Sequence, residues 1–387
     1  MSGFVHVCPP RTVFRWGALQ ELPAEAAALG NRPLVVCGRS LRARGVLGPL
    51  LEALSRSGLD PLTHEGVPAE PGLADLDRCI EAARTADSVI AIGGGSVLDI
   101  AKGAAALAPP PGAPDVTAAE FFSGRSVPDT GRPILAVPTT SGTGSEVTWV
   151  TVLVDSRNRR KASIRGSGMM PRVALLDPEL TVTCSPTVTA QSGMDAFVQA
   201  VEAYTSVGAN AWTDALALQA AVLTAGSLET AVREPGHREA REAMALGSML
   251  AGTALNTSRL GLVHGLAHPI GAVTGAAHGL LCGLLMPAVM RFNRMHAMQR
   301  YARLAVAIGL ADPKAPAEVG SDALEDFVVR MLQRLKIPTT LSEIGLEPTD
   351  FDWIARETMP SGSTKANPRP VSLEDARSVT ESCWSAP

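Results

Sequence analysis

This 387-residue chain lacks several things that would settle its class at once. It has no run of about twenty apolar residues. The longest, Gly279 to Met290, is about a dozen, too short for a membrane-spanning helix. Its lysines and arginines are scattered and the net charge is −4, which argues against nucleic acid or an anionic membrane as a main partner. No C-x-x-C pair occurs among Cys8, Cys37, Cys79, Cys184, Cys282 and Cys383. Scattered thiols in a chain of this size fit reduced cysteines in a cytoplasmic protein, not a disulfide framework. The opening Met1 to Arg11 has no apolar core of the kind a signal peptide needs, so a cytoplasmic location is expected. The G-x-G-x-x-G fingerprint is also missing.

What is present divides into two grammars. Between Arg32 and about Leu180, short apolar runs (PLVVCG, SVIAIGGGS, PILAVPTT) alternate with helical stretches. Such runs suit parallel strands covered on both faces. Beyond Pro186, segments rich in alanine and leucine with helical periodicity take over. The expectation is an α/β N-terminal dinucleotide-binding domain with a parallel sheet (residues 1–183), followed by an all-α C-terminal domain (184–387).

Two loops follow predicted strands. In SVIAIGGGSVLDIAK, Gly93, Gly94 and Gly95 allow a ligand close to the backbone, and Ser96 is placed to cap the next helix with Asp99 three residues on. A helix start of this kind attracts anions. The second loop, PTTSGTGSEVT, offers hydroxyls from Thr139, Thr140, Ser141, Thr143, Ser145 and Thr148. Two such loops favour a dinucleotide. After the first strand the turn carries Gly38, Arg39 and Ser40, where dinucleotide folds often place an acidic residue for the ribose 2′-OH. A small residue beside a guanidinium suits a 2′-phosphate, so NADP(H) is expected over NAD(H).

His264, His268 and His278 lie in a small-residue, apolar segment, and Asp195 precedes Gln199 by one helical turn. His264 and His268 share the same i, i+4 spacing, and only some of these side chains can be ligands at once. Three imidazoles and a carboxylate among Gly, Ala and Leu resemble a buried metal site. His6, His64, His237 and His296 stand alone and receive no role.

Taken together, GGGSVLDIAK, PTTSGTGSEVT, LLDPEL, SGMDAFVQAVEAYTS, HGLAHPIG, HGLLCGLLMP and the NPRP at Asn367 resemble the iron-containing (group III) alcohol dehydrogenases, which share the dehydroquinate synthase-like fold. The resemblance implies metal ligands at Asp195, His264 and His278. A fourth falls at Gln199, where the family has histidine. It implies a catalytic His268 near nicotinamide and substrate, and cofactor contacts at Gly95, Ser96, Thr139, Thr140, Lys161 and Leu180. The family's ribose-binding aspartate corresponds to Gly38, and a family Asn-Pro appears as Glu70-Pro71. The implied activity is an NAD(P)-dependent alcohol dehydrogenase or aldehyde reductase acting on a small molecule with Fe²⁺ or Zn²⁺, its binding weakened or altered by the glutamine, in a homodimer. Arg259, Arg291 and Arg294 raise the case of an anionic aldehyde. Alternatives are a metal-free reductase like those that reduce maleylacetate, a dehydroquinate synthase-like lyase, and a nucleotide binder without turnover.

Overall fold

The computed structural model describes residues 3–385. Its first unit contains β1 (Arg11–Phe14), α1 (Leu22–Ala27), β2 (Pro33–Cys37), α2 (Arg39–Ala43), α3 (Leu47–Arg56), β3 (Leu62–Glu65), α4 (Leu73–Ala83), β4 (Ser88–Gly93), α5 (Gly95–Leu107), α6 (Ala118–Phe122), β5 (Ile134–Pro138), β6 (Val150–Asp155), β7 (Arg160–Arg165) and β8 (Val173–Leu176). Six strands form one parallel sheet in the order β1-β8-β5-β4-β2-β3, and β6 and β7 form an antiparallel pair.

The three apolar runs are β2, β4 and β5, each buried along its whole length. Alternation within them divides two cores. Leu34, Val36, Val89, Ala91, Ile134 and Ala136 pack with α4 and α5 on one face, while Val35, Ile90, Ile92, Leu135 and Val137 pack with α1 and α3 on the other. Both faces being covered is why these strands read as continuous apolar runs. The N-terminal β1 pairs in parallel with β8 of its own chain, at the edge of the sheet.

The second unit is helical: α7 (Pro186–Thr205), α8 (Ala211–Arg233), α9 (Arg238–Ser258), α10 (Leu262–Thr274), α11 (His278–Ile308), α12 (Ala317–Arg334), α13 (Phe351–Thr358), α14 (Gly362–Lys365) and α15 (Leu373–Ser382). The chain leaves the sheet unit after Val182. Ser185 caps α7 by accepting from the Val188 amide, and Pro186 occupies its first turn. Helix α8 is long and apolar enough by composition to cross a membrane, which the sequence reading missed, but Ala217, Ala220, Ala221 and Leu228 bury one stripe of it in the helical core.

Two short stretches group with the helices although they lie earlier in the sequence: residues 3–7 and Ser141–Gly144. Glycine explains the second. A Cβ on Gly142 would lie 2.8 Å from the Ser192 Cβ on α7. One on Gly144, whose φ is +60°, would lie 2.6 Å from the Gly252 Cα on α9. Only glycine permits this backbone-to-backbone approach.

Candidate active site

At the carboxyl ends of β2, β4 and β5 the sheet unit gathers its loops. Strand β4 lies between the other two, pairing Cys37 with Ile92 on one side and Gly93 with Pro138 on the other. The chain runs from β2 outward to β3 and then returns across to β4, so the strand order reverses between β2 and β4. Open parallel sheets bind ligands at such a reversal. Gly38, Gly93–Gly95 and Thr139–Thr140 all sit there. The Thr139 amide donates to the Gly93 carbonyl at 2.9 Å, which ties the two loops together.

Helix α5 begins at Gly95 with Gly94 as its N-cap and no side-chain cap bond. Ser96 is therefore inside the helix and does not cap it, contrary to the sequence expectation. With no side chain over them, the first amides of α5 suit a phosphate. Gly93 is required for packing, since a Cβ there would lie 2.6 Å from the Val97 side chain.

Asp99 faces inward. It accepts from Ser145 Oγ at 2.5 Å and the Val152 amide at 2.8 Å, and its carboxylate lies 3.2 Å from Lys102 Nζ. Lys102, fully buried, also donates to the Ser145 carbonyl and to Thr148 Oγ1. Asp99 and Thr148 thus hold the hydroxyl-rich loop in shape, and their polar atoms are engaged there rather than presented to a cofactor. Burial pushes Lys102 down and pushes the neighbouring Glu146 carboxyl up to about 7. Lys161 is paired with Glu70, a residue in the left-handed region at φ 50°. Leu180 packs against the core beneath the sheet. Thr143 lies in the segment that groups with the helices.

Arg39 and Ser40 are exposed in the first turn of α2. A Cβ on Gly38 would meet Val97 at 3.6 Å, ordinary contact, so the glycine is not forced by crowding. The carboxylate at the end of β3, Glu65, is held by Arg42 at 2.6 Å, and this hydrogen bond lowers its pKa.

The helical unit brings a second set together. Asp195, His264, His278 and Cys282 each offer a donor atom, all within 4.8 Å of one another. His264 Nε2 lies 3.3 Å from Asp195 Oδ1, and His278 Nε2 lies 3.8 Å from it. Local structure explains the convergence. A Cβ on Gly279 would lie 2.0 Å from the Gln191 carbonyl, so glycine lets the start of α11 press onto the α7 backbone and sets His278 beside Asp195.

His264 is positioned by Glu202, one turn beyond Gln199 on α7. The Glu202 carboxylate accepts the Gly261 amide at 3.0 Å and the Val263 amide at 2.7 Å, capping α10 from outside. It also lies 2.6 Å from His264 Nδ1. With Nδ1–H donated there, Nε2 is the nitrogen that faces Asp195, His278 and Cys282, the one that could ligate an ion on losing its proton. Asn367 completes the cap, accepting from the Leu262 amide at 3.1 Å while donating to Asn293. Neither Glu202 nor Cys282 was singled out from the sequence. The signals were there: Glu202 is i+7 from Asp195, and Cys282 is i+4 from His278.

Burial opposes a charge on His264, but Cys282, Asp195 and Glu202 around it outweigh that and hold its pKa well above the usual imidazole range. Burial pushes the Cys282 thiol up to about 12. Gln199 is buried, and its Oε1 has no hydrogen-bond partner among the described residues. An unpaired buried carbonyl oxygen beside Asp195 on the helix face, with two imidazoles, a carboxylate and a thiol converging nearby, fits a cation. His268 is half-buried one turn after His264, its ring centroid 5.4 Å from that of His278. Arg291 and Arg294 do not form a substrate-anion cluster with Arg259, because they pair with Glu325 and Asp322.

The comparisons with known proteins agree with this geometry. The family model described as "Iron-containing alcohol dehydrogenase" matches residues 9–178, and "Fe-containing alcohol dehydrogenase family, C-terminal" matches 189–384. The chain is 35% identical to the probable alcohol dehydrogenase EutG of Salmonella typhimurium, covering 93% of this chain and 90% of that one. It is 33% identical to the lactaldehyde reductase of Escherichia coli K12, covering 96% and 97%. The crystal structure of a 1,3-propanediol oxidoreductase superposes with a TM-score of 0.93 at 30% identity, over 99% of this chain and 100% of that one. With a parallel sheet shaped for a dinucleotide and a helical unit that converges a carboxylate and imidazoles, the chain belongs to the iron-containing alcohol dehydrogenase family and is an NAD(P)-dependent oxidoreductase of alcohols and aldehydes.

Proposed function

We propose that the chain moves hydride between NADP(H) and a small alcohol or aldehyde, with a divalent ion, Fe²⁺ or Zn²⁺, held by Asp195, His264 and His278. The observation that carries this is the convergence of those three side chains, with His264 fixed by Glu202 so that Nε2 faces Asp195. When bound, the ion supplies Lewis acidity toward the substrate oxygen. Glu202 keeps His264 in the tautomer that can ligate. His268, not needed in the ligand set, exchanges the proton between substrate oxygen and solvent, the role for which imidazole suits neutral pH.

On the sheet unit, the uncapped start of α5 and the Gly93–Gly95 backbone hold the pyrophosphate, with Ser96, Thr139 and Thr140 alongside. Preference for NADP(H) is supported by the absence of a carboxylate at Gly38, the exposed Arg39, and the capture of Glu65 by Arg42. The six cysteines are unbridged, which fits work in the reducing cytoplasm, and the family resemblance suggests a homodimer.

The test is initial-rate oxidation of NADPH and NADH with a panel of small aldehydes, before and after metal removal. Turnover that prefers NADPH, disappears with a chelator and returns with Fe²⁺ or Zn²⁺ is the expected result. NADPH turnover indifferent to chelation removes the ion from the reaction.

A further inference from the structure

We propose that Cys282 is the fourth protein ligand of the ion, in place of Gln199. This rests on the metal-assisted reading above and adds to it the identity of one donor. The geometry carries it. Cys282 Sγ lies 3.7 Å from His264 Nε2 and 3.6 Å from His278 Nε2, and those nitrogens lie 3.3 and 3.8 Å from Asp195 Oδ1. Tetrahedrally disposed donors bound at about 2.0–2.3 Å lie about 3.3–3.6 Å apart, and an ion so held can expand to a fifth position for the substrate oxygen. These four separations fall at or just above that range, and all four donor atoms lie within 4.8 Å of one another. The sulfur is almost equidistant from both imidazole nitrogens, and both nitrogens also face Asp195 Oδ1, so the four donors are turned toward one another.

Charge points the same way. Asp195 is 2% exposed, His264 3% and Cys282 0%, while His278 is half-buried, so three of the four donors approach the ion from the interior. Counted over the direct ligands alone, Asp195 with a Cys282 thiolate matches the charge of a divalent ion, whereas Asp195 with the Gln199 amide leaves one positive charge to be offset from beyond His264 by Glu202. On binding, the Cys282 S–H bond gives way to a sulfur–metal bond and the proton passes to solvent. Thiolate also outranks an amide oxygen for Zn²⁺ and later transition ions, so the site should select zinc more strongly than a set completed by glutamine oxygen.

The experiment loads metal-free protein with one equivalent of Co²⁺ and records its absorption spectrum. The wild type is expected to show a near-ultraviolet sulfur-to-cobalt charge-transfer band together with the visible d–d bands of bound cobalt. Gln199→Ala keeps both. Cys282→Ser loses the charge-transfer band but keeps the d–d bands, and its Zn²⁺ affinity falls by about 10–100-fold or more, at least the loss typical of an outer-shell partner. Cobalt bound by the wild type without a sulfur band overturns the inference and leaves the metal-assisted reading standing. No cobalt bound by the wild type overturns that reading and this inference with it.

Discussion

His264 Nδ1 lies 2.6 Å from the Glu202 carboxylate, and the same carboxylate receives the amides that open the helix on which His264 stands. One side chain thus sets both where α10 begins and which nitrogen of its histidine faces the donor cluster. Replacing it with glutamine keeps the shape but removes the charge. Glu202→Gln is expected to weaken Zn²⁺ binding by about 10–100-fold, as for other outer-shell partners of a ligating histidine. Metal titration against a competing chelator measures this. An unchanged affinity would mean that His264 needs no help from Glu202.

Gly279 lets α11 touch α7. A methyl group there meets the Gln191 carbonyl, which is backbone and cannot rotate away. Gly279→Ala should destabilise the chain by about 1–3 kcal/mol through overpacking and lower its metal content, because His278 precedes the displaced residue. Denaturant unfolding and elemental analysis of the same preparation read the two effects.

Arg259 has φ 68° and ψ −172°, a region nearly reserved for glycine. Such strain costs about 1–3 kcal/mol, and glycine recovers it less about 0.5–1 kcal/mol of extra chain entropy. Arg259→Gly should therefore leave the fold no less stable and stabilise it by up to about 2.5 kcal/mol. A loss of activity in the stabilised variant would indicate that the strained conformation serves the substrate.

The Glu146 carboxyl is raised to about 7 by burial, with Lys102 opposing only in part. Because its folded-state pKa lies above the ordinary value of 4.5, the stability tied to this group is complete below about pH 4.5 and is lost as pH rises toward 7. Glu146→Gln removes that loss. The variant should match the wild type near pH 4.5 and exceed it by about 1–3 kcal/mol near pH 8. Urea midpoints at the two pH values decide it, and equal midpoints at both contradict the buried-acid account.

At Gly38 there is room for a side chain, so Gly38→Asp can be accommodated without moving Val97. The new carboxylate would accept from a ribose hydroxyl and repel a 2′-phosphate. The ratio of kcat/KM for NADPH to that for NADH should fall by about tenfold or more, the size of one hydrogen bond to a charged group. No change would place the adenosine ribose elsewhere.

Much of this was legible in the sequence because it is local. β2, β4 and β5 announce themselves as apolar runs, and His264, His268 and His278 crowd into one short segment of small residues. What was hidden depends on contacts far apart in the chain. Glu202 reaches an amide 59 residues later, and nothing near it in sequence shows that α10 begins there. Asp99 read as part of a capping box at a phosphate loop, but Ser145, 46 residues away, takes its carboxylate. Cys282 read as one scattered thiol among six because its partners come from three different helices, α7, α10 and the first turn of α11. The SGTG stretch read as part of a hydroxyl-rich cofactor loop, and nothing near it in sequence shows what its glycines do. They serve to seat Ser141–Gly144 against α7 and α9, a packing role visible only once those helices are placed.

Metal stoichiometry, by elemental mass spectrometry on protein purified without chelator and without oxygen, tests the central claim most directly. The account predicts close to one zinc or iron per chain, lost in the His264→Ala and Asp195→Ala variants together with aldehyde reduction. A wild-type chain that carries no metal, yet reduces aldehydes with NADPH at an undiminished rate, would contradict it.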